Sequence, residues 1–374
     1  MRALFLTFVL LVTSILSSVV SAEPLSKPAR LVMYQGGDYL DYYKTLRSMT
    51  KGLMELGVIE SQPIPEFPNY NTQALWSWLS TQASNDQITF VREGFYSADW
   101  DDQKRDLLRL QLERELNQGK LADIVLAIGT WAGMDISNIK HNVPSLVMST
   151  SNAVYSGIVD SVSDSGADHL FAAMSPDRYF NQLSMYHDLI GFKRLGVAYE
   201  NSLAGRSYAA IADIERLAKE RGFEIVSCYT KSDISDYALA EQSLLECYEY
   251  LSDKSDALYI TEQGGMLPGT HQKIVQLSIE KRLPTFSQYG QDEVRKGYLL
   301  SASRSFGLVT EGRFVADAMK QIMKGTKPRD IPQVFHETPD IYLNMKTAEV
   351  IGFHMNAYLL AAADQLYWRI ETQE

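Results

Sequence analysis

Short β-rich runs alternate with helical runs along this chain from residue 29 onward. The helical runs keep the spacing of an amphipathic helix, as in Leu46, Met49, Leu53 and Leu56. Such alternation is the pattern that builds parallel sheets flanked by helices. Strands are predicted at residues 30–34, 87–95, 122–129 and 144–149, and again at 194–200, 223–230, 257–262, 284–288 and 298–303.

The two sets of strands indicate that the same βα architecture occurs twice. We therefore predict an α/β fold of two Rossmann-like lobes with parallel sheets and a cleft between them. In open parallel sheets ligands bind at the carboxyl ends of the strands, so the strand-to-helix loops are the candidate ligand site. The segment 152–188 is the least regular part of the chain and is suited to cross between the lobes.

The first 22 residues have the pattern of a secretory signal peptide. Met1 and Arg2 supply a positive start, residues 3–20 form an apolar run, and Val20-Ser21-Ala22 is a small-residue cleavage site. The apolar run is almost long enough to span a bilayer, so an uncleaved membrane anchor is the alternative. No cysteine follows the run, so a lipid anchor is not expected. We predict a cleaved signal peptide over residues 1–22 and a soluble periplasmic protein.

The chain is acidic, with 35 Lys and Arg against 46 Asp and Glu and a formal net charge of −11. This balance argues against a nucleic-acid partner, since such proteins neutralise phosphates with a basic face. Cys228 and Cys247 are the whole cysteine inventory, and an oxidising compartment permits one disulfide between them. The sequence leaves this disulfide open, because it does not give the distance between the two Cα atoms.

Motifs for catalysis, metal binding and cofactor binding are missing from the sequence. The six histidines have no close ligand spacing, so no metal site is predicted. The sequence has no GxSxG elbow, no P-loop and no GxGxxG fingerprint, which removes the usual signals of a hydrolase, an NTPase and a dinucleotide enzyme. We therefore expect a protein that is not an enzyme and that needs no cofactor. A secreted enzyme that uses the same cleft is a third, minor alternative.

Polar and aromatic residues follow most of the predicted strands, and each of these loops precedes a helix. Helix N-termini present unpaired N–H groups, so several of them at one cleft would hold a carboxylate. For any single residue, capping of its helix is the competing interpretation. The candidate ligand-binding residues are Gln35, Thr130, Trp131, Ser149, Ser151, Asn152, Asn201, Glu262, Tyr289 and Phe306.

Several stretches carry a resemblance to a known family. They are ADIVLAIGT at 122–130, RLAKERG at 216–222, DALYI at 256–260, RLPTF at 282–286, KGYL at 296–299, EGR at 311–313, KGTKPRDIP at 324–332 and IYLNMKTAEVIGF at 341–353. The chain thereby resembles the ABC-transporter substrate-binding family, whose best-known members bind aromatic amino acids. The resemblance implies the type I periplasmic-binding-protein fold, with a hinge of several chain crossings between the lobes.

The resemblance also implies domain boundaries and ligand-facing residues. The N-terminal lobe would comprise 28–152 plus 288–332 and the C-terminal lobe 157–284 plus 338–374, with hinge crossings near 151–157, 284–292 and 332–339. Gly129-Thr130, Ser151-Asn152, Asn201 and Glu262 match the family's ligand-facing positions. The chain departs from the family at Ser151-Asn152-Ala153, where Thr-Asp-Pro is common, and this departure changes which charge the cleft prefers.

We therefore predict a solute-binding protein that captures an amino acid or similar small carboxylate and delivers it to an ABC permease. Thr130, Ser149 and Ser151 would donate to the ligand carboxylate, Glu262 would accept from its amine, and Trp131 or Tyr289 would stack on its side chain. The alternative is a periplasmic sensor that signals through a membrane receptor kinase or cyclase.

Overall fold

The computed structural model describes residues 27–68, 71–119, 121–303, 307–336 and 339–371. The predicted signal peptide lies outside these ranges. Two sheets organise the chain, and each has helices packed against it. The strands are β1 (Ala29–Gln35), β2 (Ile88–Ser97), β3 (Ile124–Ile128), β4 (Ser145–Met148), β5 (Leu170–Ala172), β6 (Arg194–Tyr199), β7 (Glu224–Tyr229), β8 (Ala257–Ile260), β9 (Thr285–Ser287), β10 (Leu300–Ser303), β11 (Asp340–Asn344) and β12 (Gln365–Tyr367).

The helices occupy the intervals between the strands, as the alternating pattern predicts. They are α1 (Leu40–Glu55), α2 (Thr72–Trp78), α3 (Asp102–Asn117), α4 (Thr130–Asn138), α5 (Arg178–Ile190), α6 (Leu203–Tyr208), α7 (Ile211–Arg221), α8 (Tyr237–Ser252), α9 (Pro268–Glu280), α10 (Gln291–Arg295), α11 (Gly307–Met323), α12 (Met345–Ile351) and α13 (Ala357–Ala362). A π-helical turn, Leu79–Ala83, follows α2.

The first sheet has the order β2-β1-β3-β4-β5 and is parallel throughout. The second has the order β12-β11-β10-β9-β8-β6-β7 and is parallel except between β10 and β11. Two open α/β lobes of this kind confirm the predicted fold class.

Burial explains why the helical spacing in the sequence is informative. Leu46, Met49 and Leu53 of α1 are fully buried and pack in one cluster with Leu31 of β1 and Leu126 of β3. The hydrophobic effect thus fixes this helix face on the sheet, since burying each such side chain is worth about 1.5–3 kcal/mol.

The predicted lobe boundaries assign β5 to the second lobe and β10 to the first, and the structure has each strand in the opposite sheet. β5 pairs with β4 in the first sheet, and β10 pairs with β9 and β11 in the second. Helix α11 then packs on α1 in the first lobe. The chain therefore crosses between the lobes after β5, between β10 and α11, and before β11. A three-residue strand such as β5 leaves no periodic signal in the sequence, so its sheet is decided by pairing.

The chain segments that form the first and third crossings are joined by backbone hydrogen bonds. Met174 N donates to Gln333 O at 2.8 Å, and Phe335 N donates to Met174 O at 2.9 Å. The third crossing thus lies within the predicted 332–339, whereas the first lies beyond the predicted 151–157 and the second beyond 284–292. Paired crossing strands form a short two-stranded connection, which is suited to bend as a unit.

Helices α1 and α11 cross at two glycines. This close approach predicts that replacing either glycine lowers the stability of the fold. A Cβ on Gly312 would lie 2.5 Å from Met49 N, and one on Gly52 would lie 2.8 Å from Ala316 Cβ. We expect Gly312→Ala to lower the free energy of unfolding by about 1–3 kcal/mol, because the helices must separate. Denaturant titration measures this change.

Gly269→Ala is the matched control, because a Cβ at this helical glycine meets no atom within 4 Å. It should leave stability unchanged or raise it slightly, since alanine favours helix. Equal stabilities of the two variants would contradict the close crossing.

Candidate functional site

A cavity of about 750 Å³ lies between the lobes, at the loops that follow the strands. Both lobes line it: α1 and the loops after β3 and β4 from the first, and α5 and the loops after β7, β8 and β9 from the second. Its charged lining is mostly acidic. The acids are Asp38, Asp41, Asp233, Glu262, Asp292 and Glu293, and the bases are Lys44, Arg178 and Lys296.

One group of charges joins the two lobes across the cavity. Asp41 is on α1, and Glu262 follows β8 in the other lobe. Burial raises the pKa of both carboxyl groups, and the proximity of Asp41 raises that of Glu262 further. Arg178 and Lys44 oppose this increase at both sites. Two acids and two bases therefore face one region, which suits a ligand that carries both charges.

Hydrogen-bonding atoms without a protein partner lie beside this group. Thr150 Oγ1 and Gln182 Oε1 are buried and have no hydrogen-bond partner among the described residues. Both residues line the cavity, and Gln182 is only 6% exposed. A buried polar group left unpaired costs about 1–3 kcal/mol, so a bound ligand that pairs with these atoms gains that energy.

Arg178 and Tyr179 begin helix α5 and are held in place by their neighbours. The Arg178 guanidinium lies 4.0 Å from the centre of the Tyr179 ring. The Ser151 side chain lies close enough to the Tyr179 hydroxyl to lower its pKa, so the second lobe approaches the loop after β4 here. The cation is thus oriented near the serine loop.

A second acidic position lies where α4 meets the loop after β7. The Trp131 indole lies close enough to the Asp233 carboxyl group to lower its pKa, and the two residues belong to different lobes. Ser232 Oγ donates to Asp233, at 3.0 Å. Burial, together with the nearby Glu200 carboxylate, raises the pKa of Asp233 to about 7. Glu200 in turn accepts from the backbone N–H groups of Ser232 and Asp233 at 2.8 and 2.7 Å.

Aromatic rings line the space beside Asp233. Trp100 and Trp131 are edge to face, with centroids 5.4 Å apart, and Tyr42 lies 6.4 Å from Trp100. The Tyr42 hydroxyl occupies the place where a Cβ on Gly129 would be, and Gly129 has φ +89°. Only glycine fits this position without strain, because L side chains avoid this backbone region.

Ser149 has a left-handed backbone, with φ 57°. Its N–H donates to Glu311 Oε1 of α11 at 2.6 Å, and Glu311 is only 2% exposed. Strained non-glycine residues of this kind concentrate at functional sites, and here the strain places a serine on the cavity wall.

Six of the ten predicted ligand residues line the cavity together. They are Thr130, Trp131, Ser149, Ser151, Glu262 and Tyr289.

Three other predicted residues lie elsewhere. Gln35 is fully buried and donates to Asp38 Oδ1 at 3.0 Å, so it supports the loop behind the cavity. Asn152 accepts from Tyr155 N and lines a smaller cavity of about 320 Å³. Asn201 is exposed and lines neither cavity, because its neighbour Ser202 caps α6 instead. Phe306 lies outside the described residues.

Sequence reasoning missed many residues of the cavity wall, among them Asp41, Arg178, Tyr179, Gln182 and Asp233. Asp41 and Gln182 lie on helix faces, so a search of strand ends passes over them. Arg178 follows the turn Ser175-Pro176-Asp177, which was the only local signal. Asp233 lies within the polar loop 230–236, in a position that the sequence does not distinguish from an ordinary solvated turn.

The described residues contain neither a helix that could span a membrane nor a cluster that could hold a metal ion. No helix in those ranges has the length and hydropathy to span a bilayer. No group of three or more His, Cys, Asp and Glu side chains there could hold a metal ion.

Comparison with protein families decides the affiliation of the chain. The model of the ABC transporter substrate binding protein family matches residues 101–367. The chain belongs to this family. Its members are substrate-binding proteins rather than enzymes, and solute-binding proteins of this family are extracytoplasmic. Comparison with curated protein sequences found no match.

Solved structures with the same fold cover most of this family member. A domain from Streptococcus pneumoniae in complex with L-Trp has a TM-score of 0.67 and 17% identity, covering 91% of this chain and 99% of that one. A conserved domain protein from Vibrio cholerae has a TM-score of 0.66 and 15% identity, covering 91% and 100%. A 5-methylthioribose transporter solute-binding protein from Thermotoga lettingae has a TM-score of 0.55 and 12% identity, covering 92% and 96%. At these identities the likeness shows the fold.

Proposed function

We propose that this protein is a periplasmic solute-binding protein that captures an amino acid between its lobes. The supporting observation is the charge group of Asp41, Glu262, Arg178 and Lys44, which faces one cavity from both lobes. The acids would bind the ligand ammonium and Arg178 its carboxylate, with Thr150 Oγ1 and Gln182 Oε1 as further partners. The solved relative that carries L-Trp supports an amino acid as the ligand class.

Ligand capture would proceed through a shift between open and closed forms. Because Asp41 and Glu262 are on different lobes, one ammonium group contacts both only when the cleft is closed. A ligand stabilises the closed form only by its greater affinity for it. The closed form would then dock on an ABC permease, in agreement with the family description. Export through cleavage after residue 22 is part of this proposal.

A thermal-shift comparison tests the ligand class. The panel contains L-norleucine, L-tryptophan, hexanoate, which lacks the ammonium, and pentylamine, which lacks the carboxylate. A ligand at 100 times its Kd adds about 2.7 kcal/mol to the free energy of unfolding, so a true ligand raises the melting temperature.

We expect the amino acids to raise the melting temperature and the two single-charge analogues to leave it unchanged. Equal shifts from hexanoate or pentylamine, or no shift from any L-amino acid, would contradict the proposal. Co-purification of the closed form with an ABC permease, rather than with a receptor kinase or cyclase, tests the partner.

A further inference from the structure

Asp233 is a cavity-lining acid without a cation of its own. Neither Asp233 nor Glu200 forms an ion pair with a basic side chain in the described ranges. Arg105 is close enough to Asp233 to oppose the increase in its pKa. Arg105 is bound to the buried Asp135 through two contacts of 2.9 Å, so its charge is already neutralised.

The surroundings of Asp233 are suited to a cation. Tyr208 and Tyr42 are close enough to Asp233 for this carboxylate to raise the pKa of both hydroxyl groups. One face of the neighbouring Trp131 ring is occupied by the Arg105 guanidinium, which lies 4.3 Å from the ring centre. The negative faces of such rings attract ammonium and guanidinium groups, and aromatic cages recognise alkylated ammonium ions in the same way. Trp100 extends this aromatic wall toward the cavity.

The two acidic positions are separated along the cavity. Asp41 and Glu262 face Arg178, whereas Asp233 faces Glu200 and Trp131. The Tyr42 hydroxyl is close enough to all three carboxylates for each to raise its pKa. The aromatic residues of the same cavity wall offer apolar surface to a carbon chain.

We infer that the ligand carries a second cationic nitrogen at the end of an apolar chain, and that Asp233 and the rings of Tyr42 and Tyr208 bind it. This inference rests on the proposed function, since it names the side-chain chemistry of the amino acid bound there. Basic amino acids and linear diamines share this chemistry. The charge balance agrees with it, because the cavity lining has six acids and three bases.

Protonation of Asp233 offers a second line of support. Its pKa of about 7 reflects burial and the nearby Glu200 carboxylate, opposed by Ser232, Trp131 and Arg105. A bound cation would favour the ionised form. Binding of the second nitrogen is therefore expected to weaken as the pH falls from 8.5 to 6.

Isothermal titration calorimetry on the purified chain tests the inference with matched ligands. L-lysine and L-norleucine differ by the terminal ammonium, and pentane-1,5-diamine keeps both nitrogens but lacks the carboxylate. L-tryptophan represents the neutral aromatic side chain. We expect L-lysine to bind at least roughly tenfold more tightly than L-norleucine, with this ratio decreasing toward pH 6.

Asp233→Asn isolates the charge, because asparagine has nearly the same size and still carries an oxygen acceptor. It should abolish the preference for L-lysine over L-norleucine, measured as the ratio of the two dissociation constants in the same variant. Asp253→Asn is the control, because Asp253 is exposed and its ion pair with Lys281 lies outside the cavity.

Each outcome is decisive. Binding of L-norleucine or L-tryptophan that is as tight as that of L-lysine, or tighter, would overturn the inference and leave amino-acid capture intact. A preference for L-lysine that survives in Asp233→Asn would do the same. Asp233 would then serve only to link the lobes through Trp131. Binding of the diamine without L-lysine would support the second nitrogen and contradict the amino-acid class. Binding of none of the four compounds would overturn both proposals.

Discussion

A variant with Glu262 replaced by glutamine binds L-amino acids roughly 10–100-fold more weakly than the native chain. This expectation follows from the loss of a charge-assisted hydrogen bond to the ligand ammonium, which is worth about 1.5–3 kcal/mol. Glutamine keeps the side-chain size and an oxygen that accepts from Tyr39, so the cavity wall should persist. Calorimetric titration gives the ratio of the two dissociation constants.

Glu280→Gln is the control for this measurement. Glu280 is exposed on α9, accepts from Gln276, and does not line the cavity. Its affinity should equal that of the native chain. An unchanged affinity in Glu262→Gln, with an unchanged melting temperature, would exclude Glu262 as the ammonium site.

The pH dependence of the same titration has a definite sign. Burial and the proximity of Asp41 raise the pKa of Glu262, so its carboxyl group is protonated at a higher pH than an exposed glutamate. The ammonium binds the ionised form. Affinity is therefore present above the raised pKa and is lost as the pH falls through it, and Glu262→Gln should reduce this dependence.

Removal of the disulfide is expected to produce the largest loss of stability. Cys228 of β7 and Cys247 of α8 are joined, with their Cα atoms 5.5 Å apart and a sequence separation of 19. Closing a loop of this length removes entropy from the unfolded chain worth about 3 kcal/mol. Cys228→Ala with Cys247→Ala should lower the free energy of unfolding by about that amount in a denaturant titration.

The reductant dithiothreitol provides the control for the disulfide. It should destabilise the native chain to a similar extent and leave the double alanine variant unchanged, because the described residues contain no free cysteine. Equal stability of the native and double-alanine chains would mean that the cross-link does not constrain the unfolded state.

The strand positions show which parts of the fold can be predicted from local sequence patterns. All nine predicted strands are present, although several are one to three residues shorter than predicted, as in Ala257–Ile260. β-rich and helical periodicities are properties of neighbouring residues, so they can be read from sequence. The short strands β5, β11 and β12 are absent from the predictions; β5 and β12 have three residues each, and sheet pairing decides where such segments lie.

Local sequence patterns also predicted one part of the candidate site and missed another part. Thr130, Ser149 and Glu262 follow strands, and the rule that ligands bind at strand ends placed them at the cavity. Asn201 satisfied the same rule and lies outside the cavity, because the loop after β6 directs Ser202 to cap its helix. A position at a strand end marks a residue as a candidate ligand contact. The course of its loop then decides whether the residue reaches the cavity.

The sequence by itself determined the α/β class, the two-fold use of the same architecture and the strand-end loops, because these follow from local periodicity and chain order. Only the tertiary structure brought Asp41 next to Glu262 and Asp233 next to Trp131. Each pair joins residues of different lobes, so its distance depends on sheet order, on the crossing points and on lobe packing. The charge preference of the cavity arises from these pairs, and it is therefore a property of the folded chain.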